Sequence, residues 1–305
     1  MLRHERIPDL FLVGAPKCGT TALYTYLAMH PDIFMSPVKE PHYFYTDYPS
    51  PDHIGASDYS RLFVKAASGQ LCGEGSTLYL FSRCAIKEIL KANPKAKLIA
   101  MVRNPLEMVV SFHGQKVYSF EEDQSDFAVA WDLSEARASG DDIPPGCRSP
   151  EQLNYKAIGR LGEQIGRLLE TARADQVHII VFDDFISDAA AAYRGTLQFL
   201  GLSDYTPTDF PVVNAHKEHR LLWVSKFLMQ PPFAVRKIKS LLKRRFPVQL
   251  KRVGKSVYSI NKQLAPKPTV PAELRRQMAR EFADDIELLG SLLRRDFSHW
   301  YKKAL

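Results

Sequence analysis

The sequence lacks the features that announce a disulfide framework, a zinc site or a membrane span. Its 305 residues include four cysteines, Cys18, Cys72, Cys84 and Cys147, and no two of them form a C-x-x-C pair. The spacing excludes the common zinc patterns, and at this length a disulfide framework is not expected. No run approaches the roughly 20 apolar residues that a membrane span needs. The first nine residues, Met1 to Asp9, are charged and have no apolar centre of the signal-peptide kind. The expected compartment is therefore the reducing cytoplasm. No internal repeat and no low-complexity tract is present, which excludes solenoids and compositionally disordered chains. No acidic residue occurs from 236 to 267, where basic residues are dense.

What remains is an ordinary globular composition, 45% hydrophobic and 25% charged, enough for a large core. A single domain over residues 1–305 is expected, with the core sheet in about 8–205 and a helical, basic C-terminal subregion in about 206–305. The net charge of +7 suits an anionic cofactor, substrate or surface. Nothing in the pattern points to nucleic acid.

Short apolar runs alternate with helix-period segments over the first 200 residues. Strands are expected from Phe11 to the break at Gly14, at Ile33 to Met35, around Cys72, at Lys97 to Val102 and at Val177 to Phe182. Helices are expected at Ala22 to Met29, Tyr59 to Val64, Ser82 to Lys91 and from Leu106 onward, the last carrying Ser111 and His113. Residues 119–150 read as a helical insertion followed by a loop. Further helices are expected at Leu153 to Ala172, at Ala189 to Leu200 with Gly201 as its cap, and at Pro271 to Trp300. The alternation implies a central parallel sheet with helices on both faces, a three-layer α/β/α arrangement with a mostly helical C-terminal part. Ligands in such folds sit beyond the C-terminal strand ends. Lys17, Glu40 and Arg103 each follow an expected strand, so one cleft can hold all three.

The run Phe11-Leu12-Val13-Gly14-Ala15-Pro16-Lys17-Cys18-Gly19-Thr20-Thr21-Ala22 organises the chain. It reads as buried strand, tight loop and helix N-terminus, a ready anion site. Gly14 and Gly19 have the spacing of the glycines in a Walker A loop. The lysine is displaced, because Thr20 follows Gly19 and Lys17 precedes the turn. The loop amides and Thr20 and Thr21 can hold one phosphate. The ammonium group then faces the bond between that phosphate and its next substituent.

Pro16-Lys17-Cys18-Gly19-Thr20-Thr21-Ala22 resembles the 5′-phosphosulfate loop of sulfotransferases that use 3′-phosphoadenosine 5′-phosphosulfate (PAPS), in the bacterial and heparan-sulfate-type branch. Val102-Arg103-Asn104-Pro105 followed by Ser111 resembles that family's 3′-phosphate site. Lys39-Glu40-Pro41-His42-Tyr43-Phe44 is similar to its segment bearing the catalytic carboxylate, and Gly73 to Tyr79 to its next strand-end motif. Phe182-Asp183-Asp184-Phe185, Phe199 to Leu202 and the terminal Asp296 to Trp300 also resemble it. The resemblance implies a P-loop-like α/β fold and a PAPS donor bound by residues 16–22, Arg103 and Ser111. It implies Lys17, Glu40 and His42 as the catalytic group. The Arg-Lys-Gly loop of the cytosolic phenol and steroid branch is absent; Arg220 stands in the general region and is the candidate to close over the nucleotide. Phe182 replaces a tyrosine common in relatives. Tyr45 stands where some heparan-type members carry a carboxylate, so a glycosaminoglycan acceptor is not carried over.

The expected reaction is in-line transfer of the sulfuryl group to a hydroxyl of a carbohydrate, glycolipid or other small acceptor, leaving adenosine 3′,5′-bisphosphate. Lys17 would stabilise the leaving oxygen and Glu40 would take the acceptor proton, with His42 as orienter or alternative base. No metal is expected. The alternatives are a P-loop nucleotide kinase or NTPase and a non-catalytic nucleotide-binding module. Loops near 45–60, 115–150 and 205–265 would shape the acceptor pocket. The basic segment 236–267 reads either as a solvated face or as a contact for an anionic acceptor or a membrane periphery.

Overall fold

In the computed structural model, residues 6–48, 53–205, 207, 210–211, 217–219, 262–264 and 269–305 are described. Arg220 and most of the basic segment 236–267 lie outside them.

Five strands form one parallel sheet: β1 (Leu10–Gly14), β2 (Ile33–Met35), β3 (Leu71–Gly75), β4 (Lys97–Val102) and β5 (Val177–Val181). Their order is β2-β3-β1-β4-β5. Leu10 pairs with Gly73 on one side and Lys97 on the other, and Leu98 to Val102 run beside Val177 to Val181. β1 is buried at every position and β4 at all but its first. That is why both read as continuous apolar runs rather than alternating ones. The chain goes from β1 to β2 and β3 on one side, then crosses to β4 on the other. Such a reversal opens a crevice beyond the C-terminal end of β1.

The described helices are α1 (Thr20–Leu27), α2 (Ala56–Arg61), α3 (Ala85–Ala92), α4 (Pro105–Tyr118), α5 (Phe127–Asp132), α6 (Ser134–Ala138), α7 (Tyr155–Gly159), α8 (Leu161–Thr171), α9 (Phe182–Ser187), α10 (Ala189–Leu200) and α11 (Ala272–Leu293). α1 packs on α10, and its Tyr26 stacks on Phe185 of α9 at 5.9 Å. α3 packs on α8, and α11 on both α8 and α4. A short antiparallel pair, β6 (Lys217–His219) with β7 (Lys262–Leu264), joins the helix in the C-terminal part.

Several boundaries differ from expectation. The expected helix at Leu153 to Ala172 is a 3-10 turn (Pro150–Leu153) followed by α7 and α8, parted at Arg160. Asn154 caps α7 through Ala157 N, while Asp285 of α11 accepts from Gly162 N and Glu163 N, both at 2.8 Å. A Cβ on Gly159 would meet the Phe282 ring at 2.3 Å, and one on Gly162 the Asp285 carbonyl at 2.2 Å. Close approach by α11 therefore sets the break. α3 begins at Ala85, not Ser82, because the Ser82 hydroxyl accepts from Cys84 N and Ala85 N ahead of it. No helix follows β3 directly. α2 spans Ala56–Arg61 rather than Tyr59 to Val64. α11 ends at Leu293, where Arg294 turns left-handed at φ 52°.

Candidate active site

β1 delivers its loop into the crevice, and the backbone there needs glycine. Gly14 has φ 151°, and a Cβ on it would lie 2.5 Å from Thr77 O. Gly19 has φ 89° and caps α1 without any side-chain bond. Ala22 N already donates to Gly19 O at 2.9 Å, which leaves the amides of Thr20 and Thr21 to an outside acceptor, with the positive end of the helix dipole behind them.

Among the described residues, three of the six non-glycine positions with positive φ are the sequence candidates for catalysis: Lys17 at 61°, Glu40 at 62° and His42 at 53°. Sparsely populated backbone of this kind gathers at functional sites. Burial lowers the Lys17 pKa, Glu40 raises it, and Arg103 and Lys39 lower it, so the four charges form one cluster. Lys39 Nζ lies 2.8 Å from Glu40 Oε1, and Thr77 Oγ1 donates to Glu40 Oε2 at 3.2 Å. His42 Nε2 is 3.4 Å from that same oxygen. Burial pushes the Glu40 carboxyl up, but His42 and the Lys39 charge outweigh it and hold it at about 2. Glu40 is ionised throughout the neutral range.

β3 supplies the support. Glu74 is wholly buried, opposite Phe11 in the sheet. Ser76 Oγ donates to it at 2.9 Å and accepts from His42 N at 3.0 Å. Tyr79 also hydrogen-bonds it and accepts from Phe44 N at 3.1 Å. Tyr59 donates at 3.1 Å and stacks on Tyr43 at 4.2 Å. Two hydroxyls thus relay the amides of the Glu40 segment to one carboxyl. Burial raises the Glu74 pKa to about 7, against the pull of these hydroxyls.

β4 ends in Arg103. Its guanidinium pairs with Glu107, donates to Lys17 O at 3.3 Å and lies 4.6 Å from the centre of the Phe182 ring. That ring also faces Gly19, where an added Cβ would meet it at 3.0 Å. Ser111 stands two turns into α4, half-buried, and one turn beyond Glu107, the partner of Arg103. Asn104 caps α4 and donates to Trp300 O, and the Trp300 indole donates to Asp183 at 3.0 Å. The terminal Asp296 to Trp300 segment therefore ties the ends of β4 and β5 together.

The structure thus brings Lys17, Glu40, His42 and Arg103 together, with Pro16 to Ala22 around them. Some loop positions act only through backbone. The Cys18 thiol is buried and donates to Pro16 O, and burial pushes its pKa up to about 12. Thr20 is buried and Thr21 half-buried. His113 is a core residue, bonded to Gln124 O at 2.8 Å between Phe127 and Tyr155. Lys39, Glu74, Ser76, Thr77 and Tyr79 were not assigned roles from sequence. The signal available was the Ser-Thr pair just past a strand that borders β1.

The displaced lysine, the helix N-terminus and a carboxylate just past the next strand distinguish this site from a Walker A loop, whose lysine follows the second glycine. Residues 7–209 match the sulfotransferase domain family, and the chain belongs to it. It is 34% identical over 111 residues to human heparan sulfate glucosamine 3-O-sulfotransferase 6, covering 36% of this chain and 31% of that one. It is 27% identical over 148 residues to mouse carbohydrate sulfotransferase 15, covering 34% and 26%. The chain spans less than a third of the length of these curated relatives. A solved sulfotransferase from Alicyclobacillus acidocaldarius superposes with a TM-score of 0.69 at 26% identity, over 97% of this chain and 99% of that one.

Proposed function

We propose that the chain moves the sulfuryl group of PAPS to a hydroxyl of a carbohydrate or other small acceptor. The observation that carries this is Lys17 lying inside the first turn, with the ionised Glu40 beside it. The residues fit such a donor. The α1 amides suit its 5′ phosphate, Arg103 beside the half-buried Ser111 suits a 3′ phosphate, and the Phe182 ring offers an apolar face. When bound, the donor supplies an activated S–O bond. Lys17 then stabilises the electron pair left on the bridging oxygen as that bond breaks. Glu40 takes the acceptor's proton as the new O–S bond forms, and His42 and Thr77 fix the carboxylate. Sulfuryl transfer shares the loose, in-line character of phosphoryl transfer, so positioning and charge do most of the work.

A carbohydrate acceptor is supported by the two relatives above, a heparan sulfate glucosamine 3-O-sulfotransferase and a carbohydrate sulfotransferase. Further parts of the reading concern residues 206–268. Arg220 closes over the nucleotide, and the basic stretch 236–267 meets an anionic surface at the membrane periphery of a cytoplasmic enzyme. Its interleaved basic and apolar residues support this. Radiolabelled sulfuryl transfer to a panel of hydroxyl acceptors tests the main claim. Lys17→Ala is expected to lower the rate about 10²–10³-fold, and Glu40→Gln about 10²–10⁴-fold. Undiminished transfer in either variant removes that residue from the mechanism.

A further inference from the structure

Beyond the Glu40 segment lies a polar cleft of about 410 Å³, bounded by Tyr48, the Phe81–Arg83 turn and helices α6, α7 and α8. A row of packed aromatic rings links the Glu40 segment to this cleft. His42 and Tyr45 are 6.0 Å apart between ring centres, Tyr45 and Tyr48 5.2 Å, and Tyr48 stacks on Phe81 at 5.7 Å. Tyr45 also donates to Glu151, on the cleft wall, at 3.1 Å.

Two features of this cleft point to its occupant. The first is an orphan acceptor. Gln164 lines the cleft and is 2% exposed. Its amide nitrogen donates to Ala157 O and Ile158 O at 3.2 and 3.1 Å, which fixes the side chain's orientation. Its Oε1 is buried and accepts nothing. A buried acceptor without a donor is costly, and a ligand hydroxyl would satisfy it. The second feature is charge cancellation. The cleft's cations are already matched to carboxylates: Lys156 to Glu135 at 2.8 Å, Arg160 to Glu281 at 2.9 Å, and Arg167 and Arg83 to Glu163 at 2.9 and 3.9 Å. A polyanion would have to break these pairs, and it would meet Glu151 as well. Stacked rings with paired polar groups suit an uncharged sugar, whose C–H faces pack on aromatics while its hydroxyls bond the rim.

We propose that this cleft holds the body of a neutral, polyhydroxylated glycan, whose reacting hydroxyl reaches Glu40 past Tyr45. This rests on the sulfuryl-transfer reading above. The full chain is assayed for radiolabelled transfer to matched neutral and polysulfated oligosaccharides. Binding of adenosine 3′,5′-bisphosphate is followed in parallel by calorimetry. Transfer to neutral glycans is expected. Phe81→Ala and Gln164→Met should each raise the acceptor KM by about 2- to 10-fold, the factor for one lost hydrogen bond or comparable contact, while nucleotide affinity stays as in the wild type. The retained nucleotide affinity shows that the fold survives, and Phe81→Ala keeps the question open to test if Gln164→Met fails to fold. Transfer confined to polysulfated glycans, an acceptor KM untouched by both variants, or no transfer to any glycan with nucleotide binding intact overturns the proposal. Loss of nucleotide binding in the wild type overturns the donor reading instead.

Discussion

At the residue scale, the site is a problem of opposed charges in one small volume. Lys39 and His42 hold Glu40 ionised with a pKa of about 2. A carboxylate so strongly held is charged but weakly basic, so Lys39 sets how readily Glu40 accepts a proton. Replacing it gives a signed prediction. Lys39→Met removes a cation that lowers the Glu40 pKa, so that pKa must rise. The acid limb of kcat/KM, if it reports Glu40, should therefore lie at higher pH in the variant than in the wild type. An acid limb left where the wild type has it would mean that Glu40 is not the titrating base. A second prediction concerns Gly19. Alanine there must adopt φ 89° with its Cβ 3.0 Å from Phe182. Left-handed backbone costs a non-glycine residue about 1–2 kcal/mol, and the ring must also move. Gly19→Ala should weaken adenosine 3′,5′-bisphosphate binding in calorimetry, whereas Cys18→Ala, which alters only a buried thiol, should leave it close to wild type.

At the element scale, β3 is a support for the catalytic segment as much as a strand. Its Glu74 reaches the amides of His42 and Phe44 through Ser76 and Tyr79. Its folded pKa of about 7 lies above the ordinary 4.5. The folded state therefore favours the neutral acid. That contribution is present below about pH 4.5 and is lost as the pH rises through about 7. Glu74→Gln does not titrate, so its Tm relative to wild type should climb between pH 5 and 8; a flat difference would place the Glu74 pKa elsewhere. Much of this scale was legible in the sequence. β2 and β4 and helix α10 with its Gly201 cap lie where the apolar runs and turn residues put them. The break at Arg160 was not legible, because Gly159 and Gly162 are set by Phe282 and Asp285, more than 100 residues away in sequence. Nor was the role of Glu74, since a glutamate between two glycines carries no sign of the hydroxyls that gather on it. The Asp285 cap is testable in the same way. Asp285→Ala removes the acceptor for two α8 amides at a cost of about 0.5–2 kcal/mol. Entropies near 2.1 cal/mol/K per residue put the Tm loss at about 1–3 °C, with nucleotide affinity unaffected.

At the scale of the whole molecule, the loops after β1, β2, β3 and β4 converge on one crevice because the strand order reverses beside β1. The displaced lysine made this centre visible in the sequence; the sheet order explains why Glu40 and Arg103 meet it. The same architecture separates the present reading from a magnesium NTPase by a measurement on the intact chain. A kinase loop places its lysine after the second glycine and a hydroxyl on magnesium. Here Thr20, the first hydroxyl after Gly19, is buried at the helix start, and no cluster of metal-ligating side chains occurs among the described residues. The crevice instead offers cations at two strand ends, Lys17 after β1 and Arg103 after β4, the two that the proposed donor would meet with its two phosphate groups. A ligand that binds only the folded state at 100 times its Kd adds about 2.7 kcal/mol of stability. For a chain of 305 residues, that corresponds to a Tm rise of about 4 °C. Adenosine 3′,5′-bisphosphate should produce this rise with or without magnesium, and Arg103→Ala should abolish most of it. ATP with magnesium should produce little, because it lacks the 3′ phosphate that the proposed reading assigns to Arg103. The reverse order, with ATP stabilising only when magnesium is present, would return the chain to the NTPase class.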